Sequence, residues 1–289
     1  KKCSRGRFTA RSTVRERKMI FRKLSLLVSC FALLAASFIT FAQERVRSLP
    51  DGQVASEAIA RIIERGELRV GMHALDQVPF FYRENQATKG TDVELAENIA
   101  QALGVSLRLV RTADSFDGVV NQTVFGEVDL SISKISRTLA RSKRVSFSSP
   151  YATFRQAFLV NRLEFAKIEK GRSLREVLIN FDARIGVIAQ SSFARFAKQN
   201  FPEATIVEYP TYQDVVEAVI GGEVVAGYRD EFEVKKVLQS DPSLSLILKA
   251  VTFDDLVDTI GVAVSLENPS LLGFVNMFLE QRYRPLSIK

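Results

Sequence analysis

The stretch Phe116-Asp117-Gly118-Val119-Val120-Asn121-Gln122-Thr123-Val124-Phe125-Gly126-Glu127-Val128 returns 96 residues later as Tyr212-Gln213-Asp214-Val215-Val216-Glu217-Ala218-Val219-Ile220-Gly221-Gly222-Glu223-Val224. Aromatic falls on aromatic, a Val pair on a Val pair, and Gly-Glu-Val on Gly-Glu-Val. Each copy reads as a helix, a glycine that stops it and the start of a strand. A second echo, Arg69-Val70-Gly71 against Arg184-Ile185-Gly186, precedes each copy. The fold class is therefore α/β, with two similar α/β lobes in place of one continuous sheet.

Outward from this repeat, short apolar runs alternate with helical periods throughout, the pattern of α/β construction. Strands are expected at 68–72, 105–110, 128–133, 184–188, 205–208 and 224–228. Helices are expected near 117–125, 192–200 and 213–220, and one from Thr91, where Thr91-Asp92-Val93-Glu94 has the spacing of a capping box. The domain reading is a leader over 1–42, a first lobe over 43–158, a second over 159–252 and a return to the first over 253–289. Facing α/β lobes joined by a hinge form a cleft, and ligands of such sheets sit beyond the carboxyl ends of the strands. Closure of the hinge around a small molecule is the expected motion.

The leader carries the chain's basic character. Residues 1–42 hold ten Lys or Arg and one acid, so of the net charge of +7 the remainder keeps −2. The basic pI is thus no sign of nucleic-acid binding. A basic start, an uncharged run over 24–42 and Thr40-Phe41-Ala42 before Gln43-Glu44 form a signal peptide. An uncleaved membrane anchor is one alternative, and a lipid-attachment box at Leu27-Val28-Ser29-Cys30 is another. In each case the body is exported, to the periplasm or the outer face of the cell membrane. Both cysteines, Cys3 and Cys30, lie in the leader, and His73 is the only histidine. Neither a metal site nor a cofactor is expected, and a Ser-His-Asp triad would have to use His73.

Several motifs in fixed order then resemble the bacterial extracellular solute-binding proteins that serve amino-acid ABC transporters, a family with the type II periplasmic binding protein fold. They are Glu64-Arg65-Gly66-Glu67-Leu68-Arg69-Val70-Gly71, Gly90-Thr91-Asp92-Val93-Glu94-Leu95, Gly126-Glu127-Val128-Asp129-Leu130, Ser136-Arg137-Thr138-Leu139-Ala140-Arg141, Phe147-Ser148-Ser149-Pro150-Tyr151 and Asn268-Pro269-Ser270-Leu271-Leu272 with Asn276. The resemblance implies that Arg141 grips a ligand's α-carboxylate, with help from Ser136 and from the Ser191-Ser192 turn. A guanidinium suits that task because it binds carboxylates bidentately. It implies further that Asp230 pairs with the α-ammonium and that Phe116 covers the ligand. From composition alone, Arg137, Arg141, Lys143 and Arg144 form a solvated basic face, Ser191 an N-cap and Asp230 a helix start.

Departures from the family's pattern cluster at the cleft. Thr91 stands where an aromatic is usual, Gln77 beside Asp76 replaces another aromatic, and Lys134 stands where a small residue is common. Gln77 and Asp76 point to a polar ligand side chain. The expected function is capture of a small polar ligand, an amino acid first of all, and its delivery to a membrane ABC transporter permease by a monomeric, non-catalytic receptor. One alternative is an exported enzyme resembling cyclohexadienyl dehydratase, with Asp76, Glu84 or Glu231 as its carboxylate. Another is a sensor lobe for a separate membrane partner.

Overall fold

The computed structural model describes residues 46–49, 51–282 and 286–287. The candidate signal peptide and both cysteines lie outside the described residues. Contacts divide the chain after Arg47, and the fold below is that of the unit Ser48–Lys289.

Glu67–His73 is apolar and buried along most of its length, and it pairs in parallel with Ser106–Ala113 and Leu130–Ser131. Ala263–Ser265 joins Leu130–Ser131 antiparallel, and Val145–Phe147 completes this five-stranded sheet. The second sheet runs Thr205–Tyr209, Arg184–Ile188, Ala226–Asp230, Ala152–Asn161, Leu248–Ile260. Its first three strands are parallel, and the two long ones are antiparallel neighbours.

Those two long strands connect the lobes. Ala152, Phe154 and Ile260 pack in the first core with Phe80, Phe81 and Leu95. Further along the same strands, Phe158, Val160 and Val251 pack in the second core with Phe181, Ile185 and Tyr228. The ladder between them changes register between Thr252 and Val257.

The repeat is present in three dimensions. Helices Phe116–Val124 and Tyr212–Ile220 are capped by Ser115 and Thr211, whose side chains accept from Gly118 N and Asp214 N. Gly126 and Gly222 both take φ 72°, the left-handed conformation in which glycine escapes the Cβ penalty. The strands after them begin at Leu130 and Ala226, two residues later than the sequence pattern predicts. Val128 N and Val224 N instead bond back to Gln122 O and Ala218 O, which closes each helix before its strand starts.

The capping box expected at Thr91 does not form. Gly90 is the N-cap of Thr91–Ala102, and the Thr91 hydroxyl is buried without a hydrogen-bond partner. The cause is the close approach of Gly90 to the preceding loop: Thr91 N and Asp92 N donate to Pro79 O and Phe80 O at 3.1 and 2.9 Å. A Cβ on Gly90, at φ 124°, would lie 2.3 Å from Phe80 O. Gly104 also has positive φ but has open space around it. Gly90→Ala should therefore destabilise the protein by more than the ~1–2 kcal/mol expected of a left-handed alanine, and Gly104→Ala by about that amount. Urea melts of the two variants measure the difference.

Candidate functional site

Between the lobes lies a cavity of about 10 Å³, lined by Phe116, Lys134, Ser136, Arg141, Ser192, Phe193, Arg229, Asp230 and Asp258. This is scarcely the room of one water molecule. The lining comes from both halves of the repeat. Phe116 opens one repeated helix, and Lys134 and Ser136 follow the strand Leu130–Ser131. Ser192 and Phe193 open the helix Ser192–Asn200, and Arg229 and Asp230 end the strand Ala226–Asp230. Asp258 comes from the connecting strand Leu248–Ile260.

Asp230 faces a cation supplied by the chain. Lys134 Nζ lies 3.1 and 3.0 Å from its two carboxylate oxygens and 3.1 Å from Glu233 Oε1. The same ammonium stands 4.5, 5.0 and 5.4 Å from the ring centroids of Phe80, Phe154 and Phe232, within cation–π range. The Lys134 backbone has φ 49°, and its N–H donates to the buried carboxylate of Asp92 at 2.7 Å, which fixes where the side chain starts. Burial alone would raise the pKa of Asp230, but the charges of Lys134 and Arg229 outweigh it and hold the group below the usual range. Asp230 is also the N-cap of Glu231–Ser240, accepting from Glu233 N, so its helix-start role holds as well.

Arg141 is buried, unlike Lys143 and Arg144 on the same turn. Its Nε and Nη2 donate to Asp117 Oδ1 at 2.9 and 2.8 Å, and its Nη1 donates to Ser136 O at 3.0 Å. Asp117 in turn accepts from Arg195 of the second lobe at 2.8 and 3.0 Å. Burial works against ionisation of Asp117, yet Arg195 and Arg141 together keep its pKa low. Ser136 Oγ lies 2.7 Å from Ser192 Oγ and donates to Asp258 Oδ2 at 2.7 Å. Ser191 stands behind them as a helix cap: its hydroxyl donates to Ile188 O and accepts from Ala194 N.

A ring box completes the site. The guanidinium of Arg229 stands 5.2, 5.4 and 5.9 Å from the ring centroids of Phe116, Phe193 and Tyr212. Its Nη2 donates to Gln77 Oε1 at 3.3 Å across the cleft. All seven residues singled out in the sequence thus lie in or against one region. The carboxylates considered for catalysis do not line the cavity: Asp76 is paired with Arg111, Glu84 with Lys89 on a hairpin, and Glu231 with Lys235 and Arg155. His73 is buried against Phe116, accepts from Leu75 N through Nδ1, and has its pKa lowered by burial and by Arg229. Among the described residues no cluster of His, Cys, Asp and Glu could hold a metal ion.

Three residues in the cavity wall, Phe193, Arg229 and Asp258, are not predicted from sequence, and Lys134 is visible there only as a departure from the family's pattern. Arg229 was overshadowed by its neighbour Asp230. Asp258 sits inside the apolar strand pattern Leu256-Val257-Asp258-Thr259-Ile260, and an acid at such a position was the signal that could have found it. Burial pushes the Asp258 pKa up to about 7, against the pull of its hydrogen bond from Ser136.

The sequence profile of the bacterial extracellular solute-binding proteins, family 3, matches residues 68–284. Cyclohexadienyl dehydratase of Pseudomonas aeruginosa is 25% identical over 235 residues, which are 81% of this chain and 80% of that protein. ABC transporter arginine-binding protein 1 of Escherichia coli is 25% identical over 193 residues, 66% of this chain and 75% of that protein. Among solved structures, an amino acid ABC transporter substrate-binding protein of Streptococcus pneumoniae bound to L-arginine matches with TM-score 0.62 and 27% identity. That match covers 76% of this chain and 90% of the other. No helix among the described residues is long and apolar enough to cross a membrane.

The Asp258 environment gives stability a pH dependence. An unfolded aspartate titrates near about 3.9, while folded Asp258 is raised to about 7. A raised carboxyl contributes its full stability below the unfolded value and loses it as pH rises through the folded one. Asp258 should accordingly favour a higher melting point at about pH 5 than at about pH 8, opposed in part by His73, whose lowered pKa adds stability as pH rises. Asp258→Asn should reduce that difference in calorimetric scans, leaving a residue from Asp92, which burial also raises to about 7.

Proposed function

We propose that this chain, which belongs to the bacterial extracellular solute-binding proteins, family 3, is an exported receptor that captures an amino acid between its lobes and presents it to an ABC transporter permease. The observation that carries this reading is the convergence of Arg141 and Ser136 from the first lobe with Ser192 and Asp230 from the second on one small cavity. An α-amino acid offers a carboxylate and an ammonium a fixed, short distance apart. The cleft offers guanidinium and hydroxyl donors on one side and a carboxylate with depressed pKa on the other. Because the groups belong to different lobes, a solute that satisfies both must draw the lobes together, and its binding energy becomes closure energy.

The third element, the box of Phe116, Phe193 and Tyr212, points to a cationic side chain. It already accommodates a guanidinium, that of Arg229. The arginine named for the Escherichia coli relative, and bound in the Streptococcus pneumoniae structure, fits this chemistry. Export to the periplasm or the outer face of the cell membrane, action as a monomer and delivery to a permease complete the proposal.

One observation favours a second reading, an enzyme like the cyclohexadienyl dehydratase relative. Asp258 is a buried acid raised to about 7 in the cavity wall, the property expected of a general acid near neutral pH. Under this reading purified protein turns over prephenate-like acids, and Asp258→Asn abolishes the turnover. Absence of turnover in the parent protein leaves the receptor.

The receptor reading is tested by melting protein stripped by unfolding and refolding against the twenty L-amino acids. Saturation at about 100 times Kd adds roughly 2.7 kcal/mol, a rise of several degrees. The rise is expected first with arginine and lysine, and it should vanish in Arg141→Ala while the far-UV circular dichroism is kept. No rise with any amino acid, in the parent or in a variant with the cleft cleared, sinks the receptor reading.

A further inference from the structure

We infer that Lys134, Asp258 and Arg229 are an internal occupant of this cleft, side chains that hold the solute's own positions and let the lobes close on the chain itself. The inference rests on the receptor reading of the site and concerns its regulation. Lys134 gives Asp230 an ammonium at hydrogen-bond distance from both carboxylate oxygens. Asp258 gives Ser136 a carboxylate at 2.7 Å, and Asp117 gives another to Arg141 at 2.8 and 2.9 Å. Arg229 puts a guanidinium into the aromatic box. Ammonium, carboxylate and guanidinium together reproduce the charges of arginine, and they leave about 10 Å³ of cavity.

The same contacts join the lobes. Lys134 reaches Asp230 and Glu233, Asp117 reaches Arg195, Ser136 reaches Ser192, and Gln77 reaches Arg229. In a receptor closed by its solute, such bridging would be supplied by the solute. Here the Lys134 side chain is only 3% exposed and supplies it from within.

Closure of this kind is incomplete in its hydrogen bonding. Asp258 Oδ1, Arg229 Nε and Tyr212 Oη are buried without a hydrogen-bond partner. Each is a polar group withdrawn from water at a cost. A solute that brings partners for these atoms has an advantage over the internal groups, so the occupant can be displaced. Until it is, the apparent affinity falls by the fraction of molecules whose cleft is held by their own side chains.

The test uses purified, stripped protein, with L-arginine as the probe. Small-angle scattering is expected to give the parent protein the same radius of gyration with and without arginine. Lys134→Ser should be larger without arginine, contract when it is added, and bind it about tenfold tighter or more by calorimetry. Lys134→Met, which keeps the packing against the rings, and Asp258→Asn serve if Lys134→Ser does not fold. A parent protein that is open without arginine and contracts on its addition overturns the inference and leaves the receptor reading standing. A parent closed without arginine, with a Lys134→Ser variant that opens but binds no amino acid, upholds the internal occupant and overturns the receptor.

Discussion

The ion pair between Lys134 and Asp230 sets the terms for everything around it. Both side chains are almost wholly buried, and they start from different lobes. Removing two charges from water costs several kcal/mol per ion, which attraction returns only when geometry is good and the remaining donors and acceptors are met. The structure meets those conditions one by one. Both oxygens of Asp230 engage the ammonium, Glu233 takes a further proton, and three rings present their faces to the same charge. Asp92 fixes the backbone of Lys134 and is itself held by the hydroxyl of Tyr151. If the lobes parted, the pair would break and both charges would rehydrate, so lobe closure and the pair stand or fall together.

The internal repeat accounts for the place of the pair. Lys134 and Asp230 are 96 residues apart, the offset of the repeat, and so are Phe116 and Tyr212 on either side of Arg229. Equivalent strands begin at equivalent positions, Leu130–Ser131 in one lobe and Ala226–Asp230 in the other. Side chains at or just past the carboxyl ends of these strands come together where the two sheets point their strand ends at one cleft. On the receptor reading proposed above, a small residue at the first of these positions would leave room for a solute's ammonium. Lysine there fills the room with the chain's own.

Periodicity exposed the lobes and the repeat, and the family resemblance carried by motif order implied the seven site residues that lie in one region. Helices Phe116–Val124 and Ser192–Asn200 follow directly from their apolar spacing and caps. What the sequence did not expose depends on distance between remote segments. Thr91 has the residues of a capping box, but the backbone of Phe80 lies where only Gly90 can pass, and the helix starts accordingly. Lys134 is visible as a departure from the family's pattern, yet nothing local says that its ammonium meets Asp230. Asp258 stands out locally as an acid between Val257 and Ile260, yet only the connection between the lobes brings it to Ser136. The carboxylates Asp76 and Glu84, candidates for the enzyme alternative, are each paired with a basic side chain, Arg111 and Lys89.

A cleft that shares its recognition groups between solute and chain obeys a different balance from one that is open until filled. In the open case the whole of the solute's interaction with Asp230 and Ser136 counts toward binding, less the cost of closure. In the shared case only the difference counts, because each new contact replaces one already made. The difference is governed by the atoms the internal groups leave unsatisfied, Asp258 Oδ1 and Arg229 Nε foremost. It is also governed by the proton on Asp258. With its pKa near neutrality, that carboxyl changes between a charged competitor for Ser136 and a neutral donor that a solute carboxylate could accept from. On the proposed reading, selectivity for solutes depends less on the shape of a preformed space than on which charges can displace Lys134, Asp258 and Arg229 from their present partners.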